Sequence, residues 1–204
     1  MKRYRMYIFD LDGTLVDSLN GLKVCYKEAL NKLGMECGKE DVMEFIRKPL
    51  RSVYEEFYNP DFSYEEFEKT VYREYGNTLN PNSLPYPDAL PALKELKERG
   101  AVMCIATKSL HGRTREVLGM HGLLDCFDLI VGYDDVENHK PDPECLELCN
   151  RTYGFDKQDI VFVGDSDIDV IAAESFGIDS VFINREHNEH YEGTYNIEDL
   201  RELL

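Results

Sequence analysis

No stretch of 18 uninterrupted apolar residues occurs in the 204-residue chain, so no membrane-spanning helix is expected. Positive charge is scarce: 23 Lys and Arg stand against 40 Asp and Glu, for a formal net charge of −17. Nucleic acid and anionic membrane surfaces both demand a basic footprint, and neither is expected as a partner. The six cysteines (Cys25, Cys37, Cys104, Cys126, Cys145, Cys149) include no CxxC pair and no disulfide-scaffold spacing. That excludes a small oxidised scaffold and points to reduced thiols in a cytoplasmic protein, with Cys145 and Cys149 sharing one helix face as core. The basic start Lys2-Arg3-Tyr4-Arg5 resembles a signal n-region, but Asp10 ends the apolar run before an h-region forms. Internal repeats and low-complexity segments are missing as well.

What is present begins with Met6-Tyr7-Ile8-Phe9, an apolar run leading into Asp10, Asp12 and Gly13. Such a run reads as a buried strand, and the glycine as the turn that ends it. Ligands of open parallel sheets bind beyond the carboxyl ends of the strands, where Asp10 and Asp12 emerge. Two carboxylates so close repel unless a cation or a proton lies between them. The simplest account is a site for a divalent metal with acid–base or nucleophilic chemistry, against the plainer reading of solvated acids in a turn.

The next segment changes character. Leu19, Leu22, Tyr26, Ala29, Leu30 and Leu33 form a helical stripe ended by Gly34. A second pattern, Val42, Phe45 and Ile46, breaks at Pro49 and resumes through Val53, Tyr54 and Phe57. A third, from Tyr64 to Tyr75, is expected to stop at Gly76. Residues 17–82 therefore read as an inserted helical subdomain, and 1–16 with 83–204 as the core that it interrupts. From Pro87 onward, helices at about 88–99, 113–120, 143–153 and 167–176 alternate with apolar strands at 101–106, 129–131, 160–163 and 180–183. The last of these strands is expected to end the sheet, with 197–204 a short amphipathic helix. Uniformly apolar strands separated by helices indicate an α/β fold, a Rossmann-like parallel sheet covered on both faces.

Polar residues sit where these strands end: Asp10 and Asp12; Thr107; Lys140 in the loop His139-Lys140-Pro141; and Asp165, Asp167 and Asp169 after Gly164. A hydroxyl after a strand is often only a helix N-cap, and a lysine before proline often only a solvated loop residue. The spacing of the last three acids also begins a calcium-binding loop. That reading fails, because glycine is required at the sixth position and glutamate at the twelfth, where this chain has Val170 and Phe176. His187 and His190 lie in a charged loop without a third ligand and read as solvated.

Together, DLDGTL at 10–15, Thr107, Lys140 and GDSDID at 164–169 match in order the four signatures of the haloacid dehalogenase-like superfamily, and the chain resembles that family over essentially its whole length. The resemblance implies a phosphohydrolase whose helical insert is a cap. Asp10 would be the nucleophile that forms an aspartyl-phosphate, and Asp12 the acid, then base. Thr107 and Lys140 would hold phosphoryl oxygens, and Mg²⁺ would be held by Asp10, the Asp12 carbonyl, Asp165 and, directly or through water, Asp169. Gly13, Lys108, Arg47 and Arg51 would contact substrate, the last two from the basic spot Arg47-Lys48-Pro49-Leu50-Arg51. Many members have Asn after the motif Thr, whereas this chain has Lys108; its backbone amide can still serve. The Arg47 and Arg51 pair is similar to one in beta-phosphoglucomutase caps, but the histidine those mutases carry after the first motif has no counterpart in Asp17–Leu22. The segment Asp134–Glu144 is similar to phosphoglycolate phosphatases and bacterial pyrophosphatases of the superfamily. The implied partner is a small phosphorylated metabolite, and a monomer or weak homodimer is expected.

Overall fold

The computed structural model describes residues 1–35, 42, 50–56, 62–185 and 191–204. Two compact units are formed, one of Met1–Asp17 with Pro85–Leu204 and one of Ser18–Leu84.

The first unit is built on strands β1 (Met6–Phe9), β4 (Val102–Ala106), β5 (Leu129–Val131), β6 (Ile160–Gly164), β7 (Asp179–Ile183) and β8 (Tyr195–Ile197). They form one sheet in the order β5-β4-β1-β6-β7-β8, with each strand parallel to its neighbours. Two short strands, β2 (Val16–Asp17) and β3 (Leu84–Pro85), make a separate two-stranded sheet. The helices are α4 (Ala89–Glu98), α5 (His111–Met120), α6 (Glu144–Tyr153) and α7 (Asp167–Phe176).

Period-two alternation decides which helix covers which face. Tyr7 and Phe9 of β1, Met103 and Ile105 of β4, and Val161 and Val163 of β6 pack in one apolar cluster with Leu93 and Leu96 of α4 and Val117 and Leu118 of α5. Met6, Ile8, Cys104, Ala106, Ile160 and Phe162 point the other way, against Cys145, Leu146 and Cys149 of α6 and Ala172, Ala173 and Phe176 of α7. Both faces of the sheet are therefore buried, which is why its strands read as continuous apolar runs. The chain winds outward from β1 to β4 and β5, then returns to add β6, β7 and β8 on the other side. The carboxyl ends of β1, β4 and β6 meet at this switch point, where side chains can converge on a ligand.

The second unit contains α1 (Leu19–Lys32), α2 (Leu50–Glu56) and α3 (Tyr64–Glu74). Tyr26, Ala29, Leu30 and Leu33 form the buried stripe of the first helix, packed with Val53, Phe67 and Val71. Ser63 and Glu66 cap α3 reciprocally, Glu66 N–H donating to Ser63 Oγ (3.3 Å) and Ser63 N–H to Glu66 Oε2 (2.9 Å).

Two expectations need correction. Gly76 does not end the third helix: the chain continues as a π-helical turn over Tyr75–Leu79 and then through Asn82. Gly76 sits where a side chain would meet nothing, so glycine is tolerated there without acting as a stop. The 180–183 strand does not end the sheet either. Tyr195–Ile197 pairs with Val181–Ile183 as β8, leaving only a 3₁₀ turn at Leu200–Leu203. Ile197, Leu200 and Leu203 are all buried, and three residues are too few to show strand periodicity in the sequence. Among the described residues no helix is long and apolar enough to cross a membrane.

Candidate active site

The backbone ladder of β1 runs one residue beyond the strand, with Asp10 N–H donating to Val163 O (2.9 Å), and this fixes Asp10 at the carboxyl edge. The following loop is folded tightly: Leu15 and Val16 N–H both donate to Leu11 O, and Gly13 N–H donates to Val16 O (2.8 Å). Leu11, Leu15 and Val16 are completely buried and pull the loop onto the core. Gly13 has φ +83°, and a Cβ there would lie 2.1 Å from Asp165 Oδ2. Only glycine meets both demands. Arg185 braces the loop from outside, its Nη2 donating to Thr14 O (2.8 Å) and its Nη1 to Asp88 Oδ2 (2.7 Å).

Lys140 comes from the loop between β5 and α6. Glu144, in the first turn of α6, accepts from the backbone N–H of Glu137 (3.1 Å) and Asn138 (2.8 Å), pinning the loop. His139 stacks on Tyr133 at 3.7 Å between ring centroids. The buried Lys140 ammonium donates to Asp10 Oδ1 (2.8 Å) and to Asp169 Oδ1 (2.7 Å). Burial works against its charge, but the facing Asp10 and Asp169 carboxylates outweigh that and hold the ammonium above the ordinary lysine value.

At the end of β6, Gly164 lets Asp169 approach; a Cβ there would lie 2.5 Å from Asp169 Cβ. Asp169 reaches back one turn, Oδ2 accepting from Ser166 N–H (3.2 Å) and from the Ser166 hydroxyl. Asp165 Oδ1 accepts from the Thr14 hydroxyl (2.8 Å). Carboxylate oxygens of Asp10, Asp165 and Asp169 all lie within 4.8 Å of one another. Burial, opposed by Lys140 and reinforced by Asp169, pushes the Asp10 carboxyl up to about 6. Burial beside Asp10 and Asp169 pushes Asp165 up to about 8. One bonded ammonium among three carboxylates leaves surplus negative charge in a low-dielectric site. A hard divalent cation with oxygen ligands suits that donor set.

The structure thus brings Asp10, Gly13, Lys140, Asp165 and Asp169 together. The Asp12 side chain lies outside the carboxylate trio and turns to α5, where Arg113 Nη1 donates to Oδ2 (2.8 Å) and Nη2 to Oδ1 (2.9 Å). Thr107 is buried at the end of β4, its hydroxyl accepting from Ser109 N–H (3.1 Å), a local turn and not the cap of α5. Lys108 is exposed. Arg51, in the helical unit, places its guanidinium 4.5 Å from the Tyr64 ring centroid. Arg47, like His187 and His190, falls outside the described residues. Sequence reasoning missed Thr14, Ser109, Arg113 and Glu144. Thr14 was within reach as part of the first motif; the other three look like ordinary helix-start and loop residues until the chain is folded.

A sequence profile of the haloacid dehalogenase-like hydrolase family matches residues 7–183. A phosphoglycolate phosphatase of Photorhabdus laumondii is 30% identical over 195 residues, covering 92% of this chain and 83% of that protein. Pyrophosphatase PpaX of Bacillus velezensis is 30% identical over 210 residues, covering 100% and 96%. Among solved structures, one described as a predicted phosphoglycolate phosphatase from Haemophilus somnus superposes with a TM-score of 0.86 at 24% identity, over 100% of this chain and 97% of that one. At that identity it speaks for the fold alone, a parallel sheet with helices. With the matched region running from the first strand through the seventh, the chain belongs to the haloacid dehalogenase-like hydrolase family.

Proposed function

We propose that this protein is a Mg²⁺-dependent phosphatase acting on a small phosphorylated metabolite through an aspartyl-phosphate. The observation that carries the reading is Lys140 bonded to both Asp10 and Asp169 within a carboxylate trio at the strand ends. A bound Mg²⁺ would neutralise charge on the phosphoryl oxygens, and Asp10, Asp165 and Asp169, with the Asp12 carbonyl, are the groups to hold it. The chain's own residues supply the rest. Asp10 is the nucleophile, and Lys140 holds it in place and faces the same phosphoryl group. Thr107 and the backbone at Gly13 and Lys108 provide donors for phosphoryl oxygens. Asp12 gives a proton to the leaving oxygen and then takes one from the water that hydrolyses the intermediate. The helical unit, Ser18–Leu84, serves as the cap that selects substrate, with Arg51 as a candidate contact.

Phosphoglycolate and pyrophosphate, the compounds named in those relatives' descriptions, are the first substrates to try, and sugar phosphates are tried beside them. The test is a screen of metabolite phosphates with and without Mg²⁺, run on the protein and on Asp10→Asn. The amide is nearly isosteric but a poor nucleophile, so turnover should vanish while the fold persists. Residual activity above a few per cent would remove Asp10 from the nucleophile's role, and dependence on a sugar bisphosphate would mark a mutase instead.

A further inference from the structure

Asp12 is held in a way that the phosphatase reading does not require. Its two oxygens meet the guanidinium of Arg113 fork to fork, at 2.8 and 2.9 Å, and Oδ2 also accepts from the Ser109 hydroxyl at 2.5 Å. Arg113 Nη1 donates to that same hydroxyl, which closes a ring of three side chains. The Arg113 side chain is 16% exposed and that of Asp12 30%, so this is a partly desolvated pair. Bidentate pairing fixes the plane of a carboxylate as well as its distance, which a single ammonium cannot do. Ser109 N–H in turn donates to the Thr107 hydroxyl (3.1 Å). The mount of Asp12 is thereby joined through one residue to the end of β4.

We infer that Arg113, assisted by Ser109, is a positioning residue for Asp12 that sets the direction in which its proton is delivered. The inference rests on the reading of Asp12 as acid. In that step a bond forms between an Asp10 oxygen and phosphorus while the bond from phosphorus to the leaving oxygen breaks. The electron pair stays on the leaving oxygen, which takes the proton of the Asp12 carboxylic acid. Asp12 is left as a carboxylate, the form for which the Arg113 fork is built. Misdirection by about an ångström is enough to cost such a step about a hundredfold.

The assay compares an alkyl phosphate, whose alkoxide must be protonated as it leaves, with para-nitrophenyl phosphate, whose phenolate leaves as a stable anion. Arg113→Ala should lower kcat/KM for the alkyl ester about 10- to 100-fold more than for the aryl ester, chiefly through kcat. Arg113→Lys, which restores charge without the fork, should recover only part. Asp12→Asn should show the same selectivity, and adding Arg113→Ala to it should not lower the ratio further. A merely structural ion pair would lower both esters equally or neither, and that result with Asp12→Asn still selective overturns the inference. If Asp12→Asn itself shows no selectivity, or the unaltered protein hydrolyses neither ester, the reading of the site falls and this inference with it.

Discussion

Lys140→Met removes the ammonium and leaves most of its stem. The lysine side chain is 3% exposed, and its partners Asp10 and Asp169 are 11% and 2% exposed. Without it, two buried carboxylates face each other and Asp165 with no cation bonded to them. Breaking a buried pair by deleting one partner costs ~3–5 kcal/mol, because the remaining charge is stranded out of water. At ~2–4 °C per kcal/mol for a chain of this size, the melting midpoint should fall by roughly 6–20 °C in chelator. Thermal unfolding followed by circular dichroism measures this directly. Two controls locate the cause. Added Mg²⁺ should recover a larger share of stability in Lys140→Met than it adds to the unaltered protein, since a second cation then replaces the missing one. Lys140→Met with Asp169→Asn should melt above Lys140→Met alone, because one stranded charge is gone. A midpoint within about 2 °C of the unaltered protein in chelator would refute the reasoning.

Two further outcomes follow from the same geometry. Asp165→Asn removes a carboxylate that its neighbours and burial oppose, and keeps an oxygen to accept from Thr14. In chelator it should be at least as stable as the unaltered protein. It should also lose the Mg²⁺-dependent gain, which for an intact site is ~2.7 kcal/mol at a hundredfold excess over Kd; an equal Mg²⁺ shift in both proteins would exclude Asp165 as a ligand. Gly13→Ala puts a methyl 2.1 Å from Asp165 Oδ2 at a φ of +83°, so ~1–3 kcal/mol of strain and a loss of kcat/KM are expected. Unchanged melting and turnover would show that the loop yields more readily than its packing indicates.

Much of this molecule could be read before it was folded, for identifiable reasons. Runs such as Val161-Phe162-Val163 are buried on both faces, and they announce parallel strands whatever lies next to them. Asp10 and Asp165 stood out because each follows such a run closely, whereas Lys140 and Asp169 stood out only as members of the four signatures taken in order. Arg113 did not, since a cation in the first turns of α5 has the composition of a solvated face, and its partner lies 101 residues away. β8 escaped for a related reason: its three residues are a strand only because β7 has an open edge to receive them.

Residue types and their order along the chain were sufficient for the fold class and for finding acids where strands end, since burial and turn formation are local demands written in apolar runs and glycines. Contacts between segments far apart in the chain had to wait for the fold. Which way Asp12 turns, what braces Thr14 and which acids share Lys140 depend on distances of a few ångströms across separate strands and helices, and no local pattern encodes those.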